Sequence, residues 1–153
     1  MRNEVIATLS GRRVVVMDSI SLIARGDEGA IIVCGSHGGG ISGAFAAKHP
    51  PELVVFNDAG GGKNGAGLAS LADLERDSIA AVAVSHDTAR IGDALDAWEN
   101  GVVSQANTPA REAGVRLGRP LRDEVHKFAL HGAATEGAQS GMNPARERVP
   151  KEQ

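Results

Sequence analysis

The chain has no tyrosine, one tryptophan and three phenylalanines, so aromatics are only 3% of its 153 residues. A core made from this inventory must be aliphatic and alanine-rich, with its elements packed closely. The same poverty argues against a single-stranded nucleic-acid surface, which wants stacking rings. Basic excess is lacking too: 16 Lys and Arg face 19 Asp and Glu, for a formal charge of −3. Arg111, Arg116, Arg119 and Arg122 make a local basic cluster, read as a solvated helix face. No nucleic-acid partner is expected. A single cysteine, Cys34, rules out an intrachain disulfide and points to a reducing compartment. Its place in an apolar run marks it as a buried structural thiol. No apolar run approaches the ~20 residues of a membrane span, and the first residues lead into no signal-peptide core. The expectation is a cytoplasmic chain with no membrane partner.

Glycine, by contrast, is abundant at 20 residues, and it gathers in loops. The most telling stretch is 30–45, AIIVCGSHGGGISGAF. Residues 31–34 read as a buried strand, Gly35-Ser36-His37-Gly38-Gly39-Gly40 as a loop, and 41–49 as a short helix ended by Pro50-Pro51. A glycine loop between strand and helix lets backbone N–H groups converge on an anion or a polarised oxygen.

Upstream, 4–9 alternates weakly and 14–17 is a strand ending in Asp18-Ser19, which together suggest an opening hairpin. Only about ten residues separate 14–17 from 31–34, near the lower limit for a crossover, so their relative direction stays open. Downstream, strands are expected at 53–56, 79–84 and 102–104. Helices are expected at 65–77, with Asn64 as a candidate cap, at 88–100, from Thr108-Pro109, and at 121–130. The helix over 88–100 has the cleanest apolar spacing, Ile91, Leu95 and Trp98, with Asp87 or Thr88 as its cap. Residues 1–131 form one α/β domain. Residues 132–153 read as a polar tail, disordered or packed on a partner subunit.

The strands between 31 and 84 are continuous apolar runs, the mark of parallel strands covered on both faces. Alternation with helices predicts a three-layer α/β/α sandwich with a mostly parallel, Rossmann-like sheet. Right-handed crossovers then put the strand-to-helix loops on one edge, where open α/β sheets bind ligands.

That edge collects chemistry. The strand ends read Asp18-Ser19, Ser36-His37, Asn57-Asp58 and Ser85-His86-Asp87. Imidazoles near carboxylates suit acid–base work, because the carboxylate can fix the ring's tautomer. His37 and His86 are the candidate acid and base, with Asp58 or Asp18 orienting one of them. Ser36 and Ser85 are candidate nucleophiles, or turn residues bonding the backbone. Gly38, Gly39, Gly40, Gly60, Gly61 and Gly62 would offer N–H groups to an oxyanion or a substrate carboxylate. Asn57, Lys63 and Arg90 would bind substrate polarity and charge. The expected partner is a small anionic or carbonyl-bearing ligand. The expected reaction is hydrolysis or a lyase or isomerase step, in a homo-oligomer. No cofactor is specified.

Other patterns compete. Gly38-Gly39-Gly40-Ile41-Ser42-Gly43 satisfies the dinucleotide pattern G-x-G-x-x-G after a strand, with Asp58 about 20 residues on. A nucleotide-binding module is therefore the main alternative. A P-loop fails because Asn57 stands where the first glycine belongs and Asn64 where Ser or Thr would hold magnesium. A serine-hydrolase elbow fails at both Ser36 and Ser42. His37, His86, Asp58 and Asp18 have metal-ligand chemistry without metal-site spacing, so no metal is assigned. A non-catalytic assembly subunit is the third reading.

Overall fold

The computed structural model describes residues 1–61, 65 and 68–142. It is a mixed α/β fold with one six-stranded sheet and, among the described residues, five α-helices. The strands are β1 (Asn3–Leu9), β2 (Arg12–Met17), β3 (Ile31–His37), β4 (Leu53–Asn57), β5 (Ala80–Val84) and β6 (Val103–Ala106). The helices are α1 (Gly40–Lys48), α2 (Ala69–Arg76), α3 (Ala94–Asn100), α4 (Thr108–Glu112) and α5 (Leu121–Met142).

The opening hairpin is present: β1 and β2 are antiparallel, joined at Ser10 and Gly11, both at positive φ. The question left open at β2 resolves as parallel, since Val14 pairs with Ile31 and Met17 with Cys34. The crossover between them holds no α-helix. Two short 3-10 turns, Ile20–Leu22 and Arg25–Asp27, bridge the gap, as a short connection requires. β3, β4 and β5 continue parallel, and β6 closes the sheet antiparallel to β5.

The strand order is β1-β2-β3-β4-β5-β6, strictly sequential. Four parallel strands laid down in one direction with one hand of crossover send every connection to the same face. The packing agrees: Ile20, Ile23, Ala46, Leu71 and Leu74 share one cluster with Val15, Met17, Ile32, Cys34, Val54, Phe56 and Ala81. Alternate residues of the same strands, Val14, Val16, Ile31, Val33, Leu53, Val55 and Val82, join Trp98, Ala110, Leu121, Val125 and Phe128 from the last three helices. Both sides of each central strand are thus buried, which is why these runs are continuously apolar. Small residues permit this closeness. A Cβ on Gly43 of α1 would lie 2.7 Å from the Ser70 Cβ of α2.

Four elements differ from the sequence expectation, the first being β3, which continues through Gly35 and Ser36 to His37 where a loop was expected. The helix expected over 88–100 begins only at Ala94, with Asp93 rather than Asp87 or Thr88 as its cap: the Asp93 carboxylate accepts the Asp96 N–H at 3.0 Å. Gly92 interrupts the apolar period at φ +81°, and Ile91 is 54% exposed rather than packed. The helix expected over 65–77 starts at Ala69, and its candidate cap Asn64 lies outside the described residues. α5 runs past Leu130 to Met142, into the first part of the stretch read as a tail. Among the described residues no helix is long and apolar enough to cross a membrane.

Candidate functional site

The segment that replaces the expected helix defines the site. Residues 85–93 leave β5 and cross the C-terminal edge of the parallel strands, tied down at each one. At the end of β4, the Asp58 carboxylate accepts the His86 N–H at 3.0 Å, and the buried Asn57 side chain donates to the Ala89 carbonyl at 2.9 Å. At β3, the Gly92 N–H donates to the Gly35 carbonyl at 2.7 Å. At β2, the Asp18 carboxylate accepts the Ala94 N–H at 3.0 Å, just where α3 starts. Gly35 is obligatory here. A Cβ on it would lie 2.5 Å from the backbone of Gly92 and Asp93. β3 bulges at this point, its register against β4 jumping between Val33 and His37.

This strap delivers His86 to Asp58. One carboxylate oxygen of Asp58 takes the Gly60 N–H at 2.9 Å, the His86 N–H at 3.0 Å and faces His86 Nδ1 at 3.2 Å. The other oxygen accepts from the Ser104 hydroxyl at 2.6 Å. The Asp58 side chain is 13% exposed, whereas the imidazole is 50% exposed. Burial acts to raise the Asp58 pKa, but the donors from Ser104, Gly60 and His86 outweigh it and hold the carboxyl below its ordinary value. An ionised Asp58 facing Nδ1 favours the Nδ1–H form of the ring, which leaves Nε2 as the working nitrogen. Nε2 lies 3.3 Å from the Asp87 carboxylate, which is 82% exposed and able to swing aside. Gly60, at φ +76°, brings its Cα side up to the ring: a Cβ there would sit 3.6 Å from His86 Cε1.

His37 stands at the end of β3, paired in register with Asn57, which in turn pairs with Val84. Two inter-strand spacings, roughly 10 Å, separate His37 from Val84, two residues before His86, so the two rings are not anchored at hydrogen-bonding distance. The exposed His37 ring accepts the Gly39 N–H on Nδ1 at 3.1 Å.

The remaining candidates are tied into the scaffold. Ser36 Oγ accepts the Ile20 N–H at 3.0 Å, and Ser85 Oγ accepts the Asp87 N–H at 3.1 Å. Asn57 uses both ends of its amide, accepting from the Ala59 N–H at 2.8 Å as well as holding Ala89. The Gly38 carbonyl receives both N–H and hydroxyl of Ser70. The N–H groups of Gly60 and Gly61 close the turn on Asp58, so they face no open space as donors. Gly40 opens α1, whose cap Gly39 supplies no side chain. Arg90 is exposed near the strap's far end, with its N–H on the Asp96 carboxylate at 2.9 Å. Gly62 and Lys63 lie outside the described residues.

Asp18 is separate from this group. Its second oxygen accepts the Arg2 N–H at 2.7 Å. Burial acts to raise its pKa, while the Ala94 and Arg2 N–H groups and the charges of Arg2 and the N-terminus bring it below the ordinary value. Cys34 is fully buried, and burial pushes its thiol up to about 12, which leaves it inert as a nucleophile. Among the described residues no cluster of three or more His, Cys, Asp or Glu side chains is placed to hold a metal ion.

The sequence reading missed Ser104, the strongest donor to Asp58. It lies in β6, and no local pattern announces that an antiparallel last strand will return it to the end of β4. Comparison of the chain with family models, with curated proteins and with solved structures finds no match in any of the three.

Proposed function

We propose that this chain is an enzyme of acid–base chemistry, hydrolytic or of the lyase or isomerase kind, acting on a small anionic or carbonyl-bearing substrate at the C-terminal edge of its sheet. The observation that carries the reading is the Asp58 carboxylate, held by four donors and turned toward the half-exposed imidazole of His86. Ser104 and Gly60 fix the carboxylate, the carboxylate fixes the ring, and Nε2 of His86 transfers the proton. A protonated ring donates from both nitrogens and bridges Asp58 and Asp87. Loss of the Nε2 proton to a substrate breaks the Asp87 side of that bridge. His37, one strand beyond Asn57, supplies the second polar contact across the gap.

The accompanying fold reading is a three-layer α/β/α arrangement, supported by apolar clusters on opposite faces of the sheet. The nucleotide alternative has less support. The strand order never reverses, so the crevice that a reversal opens in dinucleotide-binding sheets has no counterpart here. Asp58, the residue that would meet a ribose, already has its oxygens engaged.

The test is turnover of a panel of activated esters, 2-oxo acids and hydroxy acids by the full chain and by His86→Gln and Asp58→Asn. A substrate handled by this site loses about a hundredfold or more in kcat in both variants. Undiminished turnover in His86→Gln would sink the proposal.

A further inference from the structure

On the far side of β6 the chain makes a second feature that the Asp58 site does not use. Arg111, Val115, Arg116, Leu117 and Arg119 line a hollow of about 510 Å³. We propose that this hollow binds a small organic phosphate, with the guanidinium groups on the phosphate oxygens and the organic part over Val115 and Leu117.

The lining is unlike a solvated helix face. Arg111 belongs to α4, while Arg116 and Arg119 sit on the segment between α4 and α5. That segment is held rigidly. The Val115 N–H reaches the Ala110 carbonyl at 3.1 Å, the Gly118 N–H the Val103 carbonyl at 2.8 Å, and the Val103 N–H the Arg119 carbonyl at 2.9 Å. From beneath, the buried Glu124 accepts the Arg116 N–H at 2.8 Å and pairs with Lys127 at 3.0 Å. Anchored backbone of this kind lowers the ordering cost when a ligand arrives.

The arginines themselves are underused. The Arg111 Nε donates to the Ala106 carbonyl at 2.8 Å, which orients its planar group, and among the described residues its terminal nitrogens make no hydrogen bond. Among the described residues Arg116 bonds through its backbone N–H and not its side chain. Among the described residues neither forms an ion pair, and the one acid near Arg119 is Glu124, 4.0 Å from its Nε and already matched by Lys127. Glu75 feels the charge of Arg111, but it accepts the Thr108 N–H and does not line the hollow. Three positive groups around one concavity, in a chain of net charge −3, leave an unbalanced local field. Three guanidinium groups exceed what the two oxygens and single charge of a carboxylate can engage, whereas the three free oxygens and double charge of a phosphate monoester match them. The apolar side of the hollow is chiefly Leu117, 49% exposed, which gives an organic group a surface to cover, with the buried Val115 backing it.

Calorimetric titration of the full chain with phenyl phosphate and with inorganic phosphate tests this. Saturable binding of phenyl phosphate is expected, tighter than inorganic phosphate and weakened by added sodium chloride. Arg116→Ala and Arg119→Gln should each weaken it about tenfold, with unchanged circular dichroism, because neither side chain is buried. Arg122→Ala, on the neighbouring helix outside the hollow, should bind as the unaltered chain does. Equal affinity for the two phosphates would overturn the role of Val115 and Leu117. No saturable binding, or equal affinity in Arg116→Ala and the unaltered chain, would overturn the site.

Discussion

Asp18 and Asp58 stand at the C-terminal ends of two strands of one sheet, and each holds one end of the same strap. Asp58 receives the N–H of His86 where the strap begins, and Asp18 receives that of Ala94 where it ends. The difference lies in what fills the remaining lone pairs. At Asp18 the other oxygen takes a backbone group, Arg2 N–H, so the carboxylate acts as a clasp between the N-terminus and α3. At Asp58 the remaining contacts are the Gly60 N–H and two side chains, a serine hydroxyl and an imidazole, and the imidazole faces solvent. A carboxylate satisfied by backbone stabilises a fold. One satisfied partly by a titratable ring can also steer a proton.

The most disruptive way to break the comparison is between the two ends. Gly35→Ala puts a methyl group 2.5 Å from the strap backbone at Gly92 and Asp93. Neither backbone can yield without releasing the Gly92–Gly35 hydrogen bond, so a loss of about 3 kcal/mol or more is expected. Urea unfolding followed by Trp98 fluorescence measures it. A loss below about 1 kcal/mol would mean that the crossing is looser than the bond distances require.

Changing the clasps separately sharpens the contrast. Asp18→Ala removes the acceptor of the part-buried Ala94 N–H and of the exposed Arg2 N–H and should cost about 1–2 kcal/mol while leaving the ring of His86 undisturbed. Asp58→Asn keeps an amide oxygen where Gly60 and His86 donate but removes the negative charge, so the Nδ1–H form of His86 loses part of its preference. Nitrogen-15 NMR of the histidine rings reads the tautomer directly. If Asp18→Ala shifts it as far as Asp58→Asn does, the division of labour between the two ends is wrong.

Acid should expose both ends together. The folded-state pKa of Asp18 and of Asp58 is lowered from 3.8, so in the folded chain each binds its proton less readily than in the unfolded chain. Their contribution is complete above the unfolded value and is lost as pH falls through the lowered one. Stability should therefore decline below about pH 4. Asp18→Asn and Asp58→Asn should each flatten that decline, and nearly additively, because the two sites share no partner. A double variant as steep as the unaltered chain between about pH 4 and pH 2 would contradict the assignment.

Much of this frame could be read from the residues. The runs at 14–17, 31–34, 53–56 and 79–84 lack polar alternation because each strand is buried on both faces. The polar residues that end them stand together at the C-terminal edge of the parallel strands. What misled was 88–100. Ile91, Leu95 and Trp98 keep helical spacing, but Gly92 and Asp93 break the backbone, and contacts with Gly35, Asn57 and Asp18 from distant strands outweigh local periodicity. Periodicity reports which faces want burial and says nothing of a tertiary tie. Strand ends brought Asp18, Asp58, His37 and His86 to one edge but left open which carboxylate meets which ring; the contact of Asp58 with His86 depended on the strap, and that with Ser104 on the path of β6. Ser36 and Ser85 show the limit of composition: both stand beside a histidine at a strand end, yet each bonds a backbone N–H of its own turn or neighbour.

Ser104 gives the smallest and most discriminating change. Its hydroxyl donates to Asp58 at 2.6 Å and has a longer contact with the Ala83 carbonyl at 3.4 Å, so it joins β6 to the end of β4 through the carboxylate. Ser104→Ala removes one charge-assisted hydrogen bond in a partly exposed place and should cost about 1 kcal/mol of stability. Asp58 keeps its bonds to Gly60 and His86, so the carboxylate stays near the ring but gains freedom to rotate. The tautomer of His86 should then hold its direction while its population becomes less one-sided. A double-mutant cycle with Asp58→Asn separates the two effects. Coupling between Ser104 and Asp58 is expected, and none between Ser104 and Asp18. Were the Ser104 effect on the ring to persist in the Asp58→Asn background, Ser104 would act on His86 by a route other than the carboxylate, and the ordered chain from hydroxyl to carboxylate to imidazole would have to be abandoned.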